Sequence, residues 1–95
     1  MTRAQTDNKQ QMAALREIGY ANNVRRGERD FHIQTEIITV RGIKIKTTVH
    51  LKGAIVGALV RLVDPADADL LKTVTQSAIL QHNAAVERAK SGKYG

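Results

Sequence analysis

The chain has 95 residues, a formal net charge of +6 at pH 7, 42% hydrophobic and only 3% aromatic residues, and no cysteine. This length accommodates one domain with one small core. The lack of cysteine excludes disulfides, thiolate nucleophiles, iron–sulfur clusters and cysteine-bound zinc. We expect no cofactor. The longest uncharged apolar stretch, residues 53–60, is far shorter than the roughly 20 residues of a membrane-spanning helix. We therefore expect no membrane span and, by default, a cytoplasmic location.

The first 28 residues predict a basic N-terminal arm that precedes a domain formed by residues 29–95. Within the arm, residues 7–18 place Met12, Leu15 and Ile18 at a loosely helical spacing, and Gly19 would end such a helix. Residues 20–27 show no periodicity. They predict a linker between a short helix or arm and the domain.

From Arg29 onward, apolar and polar residues alternate, which predicts strands with one buried face. A loop of residues 40–42, with Gly42 in a left-handed conformation, joins the first two strands. This loop length fixes the register of the two strands, because residues opposite each other in an antiparallel pair must lie on the same face. The predicted core-side pairs are Ile37 with Ile45, Ile33 with Val49 and Phe31 with Leu51, and the predicted outer pairs are Glu36 with Lys46 and His32 with His50.

The third predicted strand covers residues 54–63 and follows a two-residue turn, Lys52-Gly53, that suits a primed hairpin. Counting from this turn assigns the even positions, such as Val56, to the core. The odd positions are then assigned to the outer face beside the lysines of the second strand; they include Ile55, Leu59, Arg61 and Val63.

A long C-terminal helix is predicted over residues 65–90. Asp64 supplies an N-cap, Pro65 suits the first helical position, and Arg88 and Lys90 favour the negative end of the helix. Its apolar positions form one broad face. The predicted fold is α+β: a three-stranded antiparallel meander covered on one face by this helix.

The stretch Phe31-His32-Ile33-Gln34-Thr35-Glu36, followed by Gly53 and by Gln81-His82, resembles a set of short bacterial proteins of unassigned activity. Those proteins carry a Phe/Tyr-His-Val-Gln-Thr-Glu strand, two further strands and a helix with Gln-His. The resemblance covers residues 29–95 and departs after Glu36, where Ile37 and Ile38 continue the strand. It implies the β-β-β-α order and draws attention to five positions: His32, Gln34, Glu36, Gln81 and His82.

Few residues point to catalysis or metal binding. His32 and His50 are close enough for a shared metal, but a third ligand is needed and Glu36 is already offered Lys46. The more ordinary interpretation is two partly exposed histidines on a polar face. His82 falls on the apolar side of the helix, where one hydrogen bond usually satisfies a histidine. No phosphate loop or nucleophile motif occurs, so we do not expect an enzyme.

Two surfaces are candidates for binding. Apolar residues outside the core on an edge strand need cover from the N-terminal arm, from a second copy of the chain or from another protein. We predict self-association or a protein partner, with Ile55, Leu59, Arg61 and Val63 as contacts. The predicted function is therefore a small regulator or adaptor that acts through the third strand and the outer face of the sheet. The alternative is a nucleic-acid-binding protein that contacts the phosphate backbone, although the cationic face lacks aromatic side chains for stacking. Its contacts would be Arg25, Arg26, Arg29, Arg41, Lys44, Lys46 and Lys52.

Overall fold

The computed structural model describes residues 10–94, which form one antiparallel sheet with a helix packed on one face. The elements are helix α1 (residues 10–16), strands β1 (Gly19–Arg26), β2 (Arg29–Ile38), β3 (Ile43–Leu51) and β4 (Ala54–Val63), and helix α2 (Leu70–Lys90). The strands follow each other in space as β1-β2-β3-β4. The start of the predicted N-terminal helix, residues 7–9, lies outside the described residues.

The sheet has four strands, so the prediction of three was wrong. The supposed linker contains β1, which pairs along its whole length with β2 after a turn in which Gly27 has φ +63°. Its helix-facing positions include Asn22, Val24 and Arg26, of which only Val24 is a buried aliphatic residue. The sequence of β1 does not alternate between apolar and polar residues, because two of its helix-facing side chains are polar and bond to α2. Asn22 bonds to the ring of His82, and Arg26 donates to the carbonyl of Lys90.

The predicted register between the next two strands is confirmed. Ile37 pairs with Ile45, Glu36 with Lys46 and His32 with His50. Gly42 has φ +109°, and the following turn pairs Leu51 with Ala54 through Lys52 and Gly53, both at positive φ. These turns match the geometry expected of short hairpins.

The assignment of β4 residues to the two faces was wrong beyond Ile55, because a bulge interrupts the strand. His50 pairs with Ile55 while Val49 pairs with Gly57, so Val56 is an extra residue. A bulge reverses which positions face the helix. From residue 57 onward the odd positions face α2 and the even positions lie on the outer face. Val56 is accordingly 38% exposed and not part of the core.

Helix α2 begins at Leu70, five residues later than predicted. The carboxylates of Asp64 and Asp67 accept hydrogen bonds from the backbone N–H groups of Ala66 and Asp69. These local bonds favour turns over a helical start. The predicted C-terminal end is confirmed at Lys90.

The core lies between α2 and the first three strands in two clusters. The first surrounds Leu15, Val74 and Ile45, and the second surrounds Phe31 and Ala85. Leu15 brings α1 into the core. No helix in residues 10–94 is long and apolar enough to cross a membrane.

Candidate functional site

The outer strand β4 leaves its side chains in water on both faces of the sheet. Leu62 is 73% exposed and Val60 51% on the outer face, while Leu59 is 54% exposed on the helix side. Helix α2 packs on β1, β2 and β3, and no strand within residues 10–94 pairs with the free side of β4. β4 is therefore an edge strand of ten residues, and Arg61 is its one charged residue.

The opposite border of the sheet has a different chemistry. Strand β1 carries Asn22, Asn23, Arg25 and Arg26 among its eight residues. Charged and polar side chains are a common protection of sheet edges against unwanted pairing. The β1 edge has this protection, and the β4 edge has it only at Arg61.

A groove separates α2 from the helix side of β4. One part has a volume of about 200 Å³ and is lined by Leu59, Gln81 and Ala84, with Tyr94 at one end. The Tyr94 ring lies directly on Gly57, where a Cβ atom would come within 2.6 Å of it. A second part of about 180 Å³ continues along Leu59 and Gln81.

A chain of buried polar side chains crosses the sheet beneath α2. The hydroxyls of Thr35 and Thr47 lie 2.7 Å apart, and Thr35 Oγ1 lies 2.8 Å from His82 Nδ1. His82 Nε2 lies 2.6 Å from Asn22 Oδ1 on β1, and Gln81 Nε2 lies 3.1 Å from Thr47 Oγ1. We call these five residues the polar chain. All but Asn22 are buried.

The proton positions along the polar chain follow from its acceptors. Burial lowers the pKa of His82, which favours the neutral ring. Asn22 Oδ1 can only accept, so His82 Nε2 carries the ring proton and Nδ1 accepts from the Thr35 hydroxyl. Thr35 in turn accepts from Thr47, and Thr47 accepts from Gln81. Each residue of the polar chain therefore donates its hydrogen to the next, beginning with Gln81 and ending with Asn22 as the final acceptor.

Gln81 connects the polar chain to the edge strand. Its amide nitrogen has two hydrogens for three acceptors: one goes to Thr47, and the other is shared by the carbonyl oxygens of Ile45, at 3.0 Å, and Leu59, at 3.2 Å. The helix is thereby bonded to both strands of the outer hairpin. Gln81 Oε1 is buried and has no hydrogen-bond partner among residues 10–94, and an unpaired buried acceptor lowers stability.

The two remaining histidines lie side by side on the outer face, with ring centroids 6.3 Å apart. His32 Nδ1 is 2.8 Å from Asn23 Oδ1. Among residues 10–94, no group of three or more histidine, aspartate or glutamate residues is placed to hold a metal ion.

The seven basic residues predicted to contact a polyanion lie in several places. Lys44 and Lys46 project from the outer face, as does Arg25, whose guanidinium is 3.9 Å from Asp30. The other four lie elsewhere: Arg26 and Arg29 on the helix side, and Arg41 and Lys52 in turns at opposite ends of the sheet.

The four residues predicted to contact a protein partner are also divided between faces. Ile55 lies on the outer face, whereas Leu59, Arg61 and Val63 lie on the helix side, and Val63 packs against the core. The outer positions Val60 and Leu62 were not predicted as contacts because the bulge was not foreseen.

Three members of the polar chain were also missed. Thr35 and Thr47 occupy core-facing positions directly opposite each other, and two hydroxyls in an otherwise apolar stripe were a signal for a buried polar contact. Asn22 gave no such signal.

Comparison with models of known protein families, with curated proteins and with solved structures finds no match for this chain.

Proposed function

We propose that this chain is a non-enzymatic protein-interaction module, a small regulator or adaptor that receives an extended strand at the free edge of β4. One observation carries the proposal: β4 is ten residues long, bears one charge and is exposed on both faces. The backbone groups on its free side suit main-chain hydrogen bonds with an added strand, and the flanking side chains suit apolar contacts.

The exposed apolar surface of β4 is large enough to support binding. Five of its six large aliphatic residues are 38–73% exposed, and burying a whole side chain of this kind contributes about 1.5–3 kcal/mol. Covering the exposed fractions would therefore contribute on the order of 4–8 kcal/mol from this chain alone. The partner's apolar surface adds to this gain, against an association cost of roughly 4–15 kcal/mol.

A second candidate function is contact with a phosphate backbone. It is favoured by Lys44 and Lys46, which project together from the outer face beside Leu62 and Val60. Phosphate contacts would make binding fall steeply with salt. Contacts through the edge of β4 would depend on salt much less.

Photo-cross-linking in cells that express the chain tests the proposed function. A photoreactive residue replaces Leu62 on β4 in one variant and Ala21 on β1, also exposed and on the outer face, in the control. We expect discrete protein adducts from position 62 and few from position 21. Equal labelling from both positions, or none from position 62, would contradict a binding role for β4.

A further inference from the structure

We propose that the occupant of the β4 edge is a second copy of this chain, paired antiparallel through residues 57–63 about a two-fold axis at Val60. The inference rests on the proposed function and names the partner. It joins two four-stranded sheets into one sheet of eight strands, with both α2 helices on the same face, because directly opposed residues of an antiparallel pair share a face.

Residues 57–63 are complementary to themselves in this register. On the outer face Val60 meets its own copy, and Ala58 meets the Leu62 of the other protomer. On the helix side Gly57 meets Val63. The small residues are at one end of the segment and the large ones at the other, so antiparallel pairing places small against large along its length.

The charges support the same register. Arg61 is the only charge on β4, and pairing about Val60 places it opposite Leu59, where its aliphatic stem can pack. Pairing about residue 61, or in-register parallel pairing, would bring the two Arg61 guanidiniums together. Each protomer carries a net charge of +6, and an approach through the least charged strand keeps the other cations apart.

The bulge selects the centre of the pair. Val56 interrupts the regular ladder, so residues 57–63 form the longest regular segment of β4. Its midpoint is Val60. A pair centred on residue 59 or 61 would have only five regular residues in the new ladder, 57–61 or 59–63, and a pair centred on residue 58 would have only three.

Single-cysteine cross-linking tests this arrangement without background, because the chain has no cysteine. Val60→Cys places two thiols across the axis, where opposed Cα atoms are about 4.5–5.5 Å apart, within the range of a disulfide. Two held thiols react at an effective concentration in the millimolar range, so at micromolar protein Val60→Cys should cross-link on the order of 1000-fold faster than the β1 control Ala21→Cys.

Two further variants test the register. Ala58→Cys should cross-link rapidly with Leu62→Cys in a mixture of the two proteins and slowly with itself. Self-cross-linking of Ala58→Cys as fast as that of Val60→Cys would overturn the two-fold axis at Val60. Cross-linking of Val60→Cys no faster than that of Ala21→Cys would overturn pairing with a second copy. If position 62 still captured another protein in cells, the proposed function would stand without this inference.

Discussion

Replacing Thr35 with valine should lower the free energy of unfolding by about 1–5 kcal/mol. Thr35 is 1% exposed, and its hydroxyl donates to His82 Nδ1 and accepts from Thr47. Valine keeps the shape and leaves both partners unpaired, at about 1–3 kcal/mol each. The additional buried methyl group offsets about 0.8 kcal/mol. The loss is a substantial part of the roughly 5–15 kcal/mol that holds a domain folded.

Urea unfolding followed by circular dichroism, at one fixed protein concentration, measures this loss. The midpoint should fall with an unchanged slope, and the melting temperature should fall by at least about 4 °C for a domain of this size. Thr48→Val is the matched control, because Thr48 lies on the outer face of the same strand pair. It should change stability by less than about 0.5 kcal/mol. A Thr35→Val protein as stable as wild type would refute the two hydrogen bonds assigned to the Thr35 hydroxyl.

Three further predictions address the core, the histidine and the outer face. Val74→Asp should prevent folding, because Val74 is fully buried in the first core cluster and an unpaired buried charge costs several kcal/mol. The control is Gln76→Asp at an exposed position of the same helix. If the two variants have similar circular dichroism spectra and melting temperatures, α2 does not pack on this face. Since burial lowers the pKa of His82, the unfolded chain binds more protons below its ordinary value of about 6.5, so stability should fall as pH drops from 7 to 5.5. His82→Gln should remove that part of the slope while His32→Gln retains it, and equal slopes in urea unfolding would contradict the assignment. Lys44→Glu with Lys46→Glu should cost less than about 1 kcal/mol of stability, because Lys46 and Glu36 are only cross-strand neighbours on the outer face, where a charge pair contributes little. Binding to generic duplex DNA is measured by anisotropy titration at physiological salt. If the wild-type chain binds with a Kd below about 10⁻⁶ M and this variant does not bind, the phosphate-contacting function is favoured instead.

The parts of the fold governed by hairpin geometry could be predicted from the sequence. Gly42 and the Lys52-Gly53 turn determine the lengths of the two loops. Loop length, together with the rule that opposed residues lie on the same face, determines the register of β2, β3 and the first residues of β4. The C-terminal end of α2 was equally accessible, because Gly92 follows two cationic residues and adopts φ +81°.

The errors arose where tertiary contacts replace local patterns. β1 shows little apolar alternation because Asn22 and Arg26 bond to α2. The bulge at Val56 lies in a run of apolar residues, in which either choice of face satisfies the pattern equally well. The start of α2 was misplaced because Asp64 and Asp67 hydrogen-bond within turns.

The candidate site was predicted as a strand, but its faces were not. The edge position of β4 follows from the order of the hairpins, and its apolar composition was visible in the sequence. The outward positions of Val60 and Leu62, and the bond from Gln81 to the Leu59 carbonyl, depend on the bulge and on the packing of α2. Neither the outward positions nor this hydrogen bond can be predicted from the sequence before the fold is known.

The molar mass in solution, measured by light scattering over a range of concentrations, tests pairing through β4 most directly. The wild-type chain should have twice the 10.5 kDa mass of one chain. Val60→Glu should have the mass of one chain and remain folded, because position 60 lies beside Lys46 within the sheet and meets its own copy across the axis. Ala21→Glu on β1 should remain a dimer. A wild-type chain that is monomeric at every concentration, or a Val60→Glu variant that dimerises like wild type, would contradict the account.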